Sequence, residues 1–462
     1  MRMCLQQLWA IGFLTWKAAF RFRLFWALLI LLLVSVVALP LLLKDDGTAR
    51  GFTQILLTYN LSVIATLLGL ATLWLACGTL ARDIEDCSLQ VVAVKPVPRW
   101  VIWLGKWLGL MALNAALLGL SGSSVYGLLH WRARRLPPEQ QTVLRNEVLV
   151  ARAALKPPRP NLEALVEQRF RERLEKTPVP PSEQAELRRQ IEALCKAGIE
   201  LAPSGYVKRW EIQLGPRRFF LRDEPLFLRV KFHAAQTNLT GTYKGLWQVG
   251  LPDQTRVWQQ IKSLAADTYH EFAVAPNLFD ADGRLVISFV NLEDVPLLFP
   301  IEDALEVLYR EGGFGLNFAR GLGIIWCWMG LLAAMGLAAA SFLSFPVAAF
   351  CSGSLLVVVL SSGTMARVVE EGTVRGVDHE TGVAVGSLVD KVMVPVFRVL
   401  LKVINLAQQF SPVDALSTGR SITWGELGRA FGQVVVLLGG LCALFGITIF
   451  SRRELAGVQA TP

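Results

Sequence analysis

Twenty consecutive residues, Leu24 to Leu43, carry no charged side chain, and no other feature constrains the fold as much. At about 1.5 Å per residue, a helix of that length covers about 30 Å, the thickness of a bilayer's hydrocarbon core. The run is too long for the apolar part of a signal peptide and no small-residue cleavage pattern follows it. It is therefore expected to be a retained anchor. Five more spans are expected near Ile55–Cys77, Trp107–Gly127, Gly321–Phe342, Pro346–Ser362 and Phe431–Phe450. An ionised side chain at the bilayer centre costs about 2.5–3.5 kcal/mol on insertion scales, so charge-free runs of this length are informative. Only Leu343-Ser344-Phe345, closed by Pro346, joins the fourth and fifth runs, which predicts a tight helical hairpin.

Charge supplies the orientation. Arg2, Lys17, Arg21 and Arg23 precede the first run; Arg82, Lys95, Arg99 and Lys106 stand between the second and third; Arg452 and Arg453 follow the sixth. With six spans these basic stretches fall on one side, so both termini are expected in the cytoplasm of a bacterial cell, at its inner membrane. Lys106, Arg452 and Arg453 are expected to anchor span ends at the headgroups. The net charge of +9 has the same explanation, and no basic groove-reading motif points to nucleic acid. Leu5, Trp9, Phe13, Trp16 and Phe20 recur every three or four residues, predicting an amphipathic helix on the cytoplasmic surface. Val396, Val399, Val403 and Leu406, with Arg398 and Lys402 beside them, predict a second such helix on the outer face.

From about Trp131 to Phe318 the membrane pattern stops. Residues 131–206 are expected to form an extracytoplasmic helical segment, divided by Lys156-Pro157-Pro158-Arg159-Pro160 and Thr177-Pro178-Val179-Pro180-Pro181. Asn161 and Ser182 are suitable N-caps for the helices that follow. Across 207–318 apolar and polar residues alternate, as in Arg209 to Leu214, Leu226 to Phe232, Tyr269 to Val274 and Leu285 to Val290. Short strands at such spacing predict an antiparallel β-sandwich, a layout similar in shape to jelly-roll carbohydrate-binding modules. Asp280-Ala281-Asp282-Gly283 is expected to be a turn, since no bidentate Glu completes a calcium loop. Asn238-Leu239-Thr240 has the pattern of a glycosylation sequon and is also expected to be a turn. The fold class is thus an α-helical polytopic membrane protein with an α+β extracytoplasmic domain between spans three and four.

Catalytic signatures are missing. The sequence contains no GxxxxGK[ST] phosphate cradle, no GxSxG and no HExxH. Its seven cysteines (Cys4, Cys77, Cys87, Cys195, Cys327, Cys351, Cys442) form no CxxC pair, so neither a metal nor another cofactor is expected. Any ATP-driven work requires hydrolysis by another chain.

Ala81-Arg82-Asp83-Ile84-Glu85-Asp86-Cys87-Ser88-Leu89-Gln90 is followed by Lys95-Pro96-Val97-Pro98-Arg99-Trp100 and by Gly105-Lys106-Trp107-Leu108-Gly109. In this stretch the chain resembles the ABC-2 family of transporter permeases, and within it the multicopper-enzyme-maturation permease subgroup. Ser341-Phe342-Leu343-Ser344-Phe345-Pro346-Val347-Ala348 and Phe450-Ser451-Arg452-Arg453-Glu454-Leu455 extend the resemblance over the six-span frame, though not over the middle domain. Cys87-Ser88 stands where the family commonly has Gly-Thr. The resemblance implies a permease subunit that is not itself an enzyme, powered by a separate ABC ATPase and paired with a second copy or a paralogue. Arg82, Asp83, Glu85, Asp86, Pro96 and Arg99 would form its ATPase-coupling loop, with a short charged helix as the docking element. Export of a substrate is the leading expectation. The alternative is a mechanotransmission or anchoring complex that relays ATPase motion to the outer domain without transport.

Overall fold

The computed structural model describes residues 2–21, 23–42, 48–86, 97–144, 148–176, 180–236, 241–252, 254–374 and 388–453. The chain divides into two compact units, Met1–Ala151 with Gly313–Pro462, and Arg152–Gly312. The helices run in order α1 (Arg2–Arg21), α2 (Arg23–Leu42), α3 (Ala49–Glu85), α4 (Arg99–Ala133), α5 (Pro138–Val143), α6 (Leu162–Lys176) and α7 (Pro181–Glu200). After the β-rich region come α8 (Phe314–Ala340), α9 (Phe345–Leu360), α10 (Ser362–Glu371), α11 (Leu388–Gln408) and α12 (Pro412–Ser417). The last is α13 (Trp424–Arg452), whose Phe431–Gly439 section is wound as a π-helix.

Among the described residues four helices, α3, α4, α8 and α13, are long and apolar enough to cross a membrane. The pair α9 and α10, bent by 51°, meets the same test as one broken span. The chain is therefore a helical membrane protein with a β-rich domain. The predicted hairpin is present: α8 closes at Ser341, and Pro346 sits in the first turn of α9, where a missing N–H costs nothing. Thr48 caps α3 by accepting from Gly51 N at 3.0 Å.

Helices in hydrocarbon gain little from apolar contact and associate through small residues and interhelical hydrogen bonds, and the bundle is built that way. At Gly336 of α8 a Cβ would lie 2.7 Å from the Cβ of Ala76, so α3 and α8 approach closely. Indole donors cross between helices, Trp107 Nε1 to Gly330 O at 2.9 Å and Trp326 Nε1 to Met111 O at 3.0 Å. Thr72 Oγ1 donates to Asn114 Oδ1 at 2.9 Å, both residues buried.

Both amphipathic segments are helical. On α1 Leu5, Trp9, Phe13 and Phe20 are exposed and Trp9 stacks on Phe13, while Thr15 and Ala19 are buried. On α11 Val396, Val399 and Val403 are exposed, and Ile404 and Asp390 are buried on another face. Each helix thus holds the bundle with one side and leaves a narrow apolar stripe uncovered.

The second unit contains β1 (Val150–Leu155), β2 (Leu201–Ala202), β3 (Val207–Gln213), β4 (Leu226–Val230), β5 (His233–Ala234) and β6 (Thr242–Val249). They are followed by β7 (Trp258–Ala265), β8 (His270–Val274), β9 (Arg284–Asn291), β10 (Leu297–Leu298) and β11 (Leu305–Gly313). Two four-stranded sheets have the orders β1-β11-β4-β8 and β3-β9-β6-β7. Register is fixed by side-chain alternation: Trp210 faces Ile287 and Trp247 faces Phe289 in antiparallel pairs. Both sheets feed one core, with Trp247, Phe289 and Ile212 from one and Leu228, Val230 and Val307 from the other. The segment 131–206, expected to be helices separated by proline breaks, also supplies β1 and β2. Alternation in Val150-Ala151-Arg152-Ala153 is hard to see because Ala and Val suit both periods. Arg152, buried, pairs with Glu271. The turn at Asp280 is held locally, its Oδ1 accepting from Asp282 N at 3.0 Å and Arg284 N at 2.7 Å. The sequon lies outside the described residues.

Lys208 closes the end of α7 by donating to Ile199 O at 2.6 Å and Glu200 O at 2.8 Å. Burial brings its ammonium down to about 8, partly opposed by the Glu200 carboxylate. The folded state thus binds fewer protons than the unfolded one between pH 8 and the ordinary lysine value of 10.5, and stability rises with pH across that window. A urea melt of the full chain at pH 8 and at pH 10 is expected to show this gain in the β-rich unit, and Lys208→Met to abolish it.

Candidate functional site

Arg82, Asp83 and Glu85 form the last turn of α3, with Asp86 as its C-cap. This corrects the expectation of a separate short helix. Nothing after Gly78 breaks the helix, so the span continues directly into its charged end. Lys106 is also placed differently from the expected headgroup anchor. It is only 6% exposed, pairs with Asp83 and donates to Thr79 O at 2.9 Å, so its charge ties α4 to α3.

The other charges lace further helix ends together. Glu85 Oε1 accepts from Phe345 N at 3.0 Å, placing a carboxylate at the N-terminus of α9, where the helix dipole favours it. The Arg82 guanidinium stands 4.6 Å over the Phe345 ring, a cation–π contact. Arg99 Nη1 donates to Phe450 O at 2.7 Å, Ser451 O at 3.0 Å and Arg453 O at 2.6 Å. Those carbonyls end α13 and have no partner within the helix. Arg453 Nη1 in turn reaches Ser341 O at 3.2 Å, at the end of α8.

A closed circuit results. Asp83–Lys106 joins α3 to α4, Arg99 joins α4 to α13, and Arg453 joins α13 to α8. The 341–345 hairpin joins α8 to α9, and Phe345–Glu85 returns to α3. Five of the named coupling and anchoring residues, with Arg453, are thereby assigned: Arg82, Asp83, Glu85, Arg99 and Lys106 bind within the circuit. Asp86 and Arg452 are exposed on it. Pro96 lies outside the described residues; Pro98 is the N-cap residue of α4.

Sequence reasoning missed Phe345, which supplies both a ring and an N–H to the circuit, and the carbonyls of Thr79 and Ser341. Backbone acceptors carry no sequence signal. It also missed how α1 is seated. A Cβ at Gly109 would lie 2.6 Å from Gly12 O and 2.7 Å from the Thr15 Cβ, and one at Gly105 2.8 Å from the Ile11 Cβ. The readable signal was the G-x-x-x-G spacing of Gly105 and Gly109, which lets a second helix backbone approach.

Compared with protein-family models, with curated proteins and with solved structures, the chain matches none.

Proposed function

We propose that this chain is the membrane-spanning subunit of an ABC-type transporter, in which the laced end of the bundle receives a separate ATPase subunit. The observation that carries the reading is the meeting of three stretches far apart in sequence, Arg82–Asp86 with Arg99–Lys106, Ser341–Phe345, and Phe450–Arg453, in one polar circuit. These are the stretches in which the sequence resembles ABC-2 permeases. In this reading α2, α3, α4, α8, α9 with α10, and α13 make six spans, and the laced end faces the cytoplasm of a bacterium. The middle unit is an extracytoplasmic β-sandwich, and a second copy or paralogue completes the pore for an exported substrate. Because Asp83, Glu85 and Arg99 are engaged inside the chain, the docking contacts fall to Asp86 and Arg452.

A relay of ATPase motion without transport is the second reading. It is favoured by the length of α3 and α4, 37 and 35 residues, which at about 1.5 Å per residue exceed the roughly 20 residues a bilayer requires. Substrate movement in proteoliposomes containing the ATPase separates the two readings.

Docking itself is tested by detergent pull-down from native membranes with mass spectrometry, comparing wild type with Asp86→Lys and Arg452→Glu. Each reversal is expected to reduce recovery of an ABC ATPase subunit at least about tenfold, which requires about 1.4 kcal/mol, with the melting temperature of the permease unchanged. Equal recovery from all three proteins, or no ATPase in any, removes the coupling role.

A further inference from the structure

The turn between β3 and β4 displays a surface unlike the rest of its unit. Phe220 is 84% exposed, more than any other large apolar side chain among the described residues, and its neighbour Phe219 is 68% exposed. The turn is firmly built. Leu214 and Leu221, on either side, are buried, and Gly215–Phe219 is a 3₁₀ helix that begins at Gly215 with φ +58°. Phe220 N donates to Arg217 O at 2.9 Å, Leu214 N to Gly283 O at 2.8 Å, and Arg218 Nη1 to Ala281 O at 2.6 Å. Two phenyl rings are thus held out into solvent by a scaffold pinned at both ends.

Arginines flank the rings along the chain: Arg217 and Arg222 are exposed, and half-buried Arg218 stands with its guanidinium 4.9 Å from the Phe219 ring. Two nearby carboxylates are committed to local turns, Asp223 accepting from Asn277 Nδ2 at 2.6 Å and Asp280 from the backbone N–H groups of Asp282 and Arg284. Burying a phenylalanine side chain recovers about 1.5–3 kcal/mol. Apolar rings rimmed by cationic side chains match the interface of a bilayer, with acyl chains below and phosphates above.

The chain path indicates which bilayer. The Arg217 guanidinium lies 5.8 Å from the Tyr309 ring. Tyr309 is on β11, four residues before Gly313, where that strand passes directly into α8, a helix apolar enough to cross a membrane. β1, on the segment entering the unit, lies beside β11 in the same sheet.

We propose that Phe219 and Phe220 insert into the interface of the bilayer that holds this chain's own helices, with Arg217 and Arg222 donating to lipid phosphates. The turn would fasten the β-rich unit to the lipid at a point separate from its covalent connections. This inference rests on the helices being membrane-embedded and is independent of the ATPase reading.

The test is photocrosslinking of the full chain in nanodiscs of phosphatidylcholine with phosphatidylglycerol, with mass spectrometry of the adducts. p-Benzoylphenylalanine replaces Phe220, or Leu444 on α13 (66% exposed), or Tyr206 (55% exposed) at the opposite end of β3. Position 444 reports membrane embedding and position 206 reports the aqueous surface. Lipid adducts at 220 are expected to approach those at 444 and to exceed those at 206 at least about tenfold, and Arg217→Glu with Arg222→Glu to lower the yield at 220 at least about threefold. Labelling at 444 with a yield at 220 no higher than at 206, or a protein adduct in place of lipid at 220, overturns the inference alone. Absence of lipid adducts at 444 overturns membrane embedding and the inference with it.

Discussion

Replacing Asp83 by Ala is expected to destabilise the helical bundle by about 2–4 kcal/mol, and by more than replacing Lys106 with Met does. Removing one partner of a buried pair costs about 3–5 kcal/mol because the other charge is left uncompensated. Here the burial is one-sided: the Lys106 side chain is 8% exposed and that of Asp83 43%. Lys106→Met leaves a carboxylate that water can reach. Asp83→Ala leaves an ammonium that is enclosed, with the Thr79 carbonyl as its one remaining partner among the described residues. Thermal unfolding in detergent, followed by the release of buried tryptophan fluorescence, measures both variants. The double variant Asp83→Ala/Lys106→Met is expected to be more stable than Asp83→Ala by itself. If the double variant is the least stable of the three, the pair does not operate as this geometry requires.

Gly109→Leu is expected to detach α1 from α4 altogether. The first carbon of any side chain at this position meets a backbone oxygen, Gly12 O, at 2.6 Å, and a backbone atom cannot swing aside as a side-chain end can. Overpacking a fitted contact ordinarily costs about 1–3 kcal/mol; with both helix backbones in contact, separation of the pair replaces strain. Hydrogen exchange across Gln6–Lys17 reads this directly. Protection there is expected to fall at least about tenfold in Gly109→Leu and to remain near wild type in Gly119→Leu, where a Cβ meets nothing within 4 Å.

The sequence announced the helices and concealed their connections. Charge-free runs locate the centres of α3, α4, α8 and α13, because backbone in hydrocarbon must satisfy its own hydrogen bonds, as a helix does. The ends were not legible, and α3 and α4 run as many as eight residues past the expected ones, to Glu85 beyond Cys77 and from Arg99 before Trp107. The short link before Pro346 likewise identifies the hairpin, since proline is tolerated in a helix's first turn. Period-two alternation locates β3, β4, β8 and β9. It gave no warning of β6, where Gly245 interrupts the pattern to accommodate Phe289, whose ring would lie 2.0 Å from a Cβ there. At the candidate site the charged residues were recognisable as a group, but their partners were not. Lys106 resembles any basic residue at the end of a span, and only the fold shows that it is buried beside Asp83. Arg99 and Arg453 bind carbonyl oxygens, which every residue possesses and which therefore leave no trace in the sequence.

Rigid coupling follows from the closed circuit of helix ends. A chain of contacts with two loose ends lets each member tilt independently, whereas a loop with none makes every member's displacement a constraint on its neighbours. Pressure applied at Asp86 or at Arg452 is therefore shared among α3, α4, α8, α9 and α13. That end of the molecule behaves as a yoke with few degrees of freedom, and bending is relegated to parts farther along, such as the break between α9 and α10.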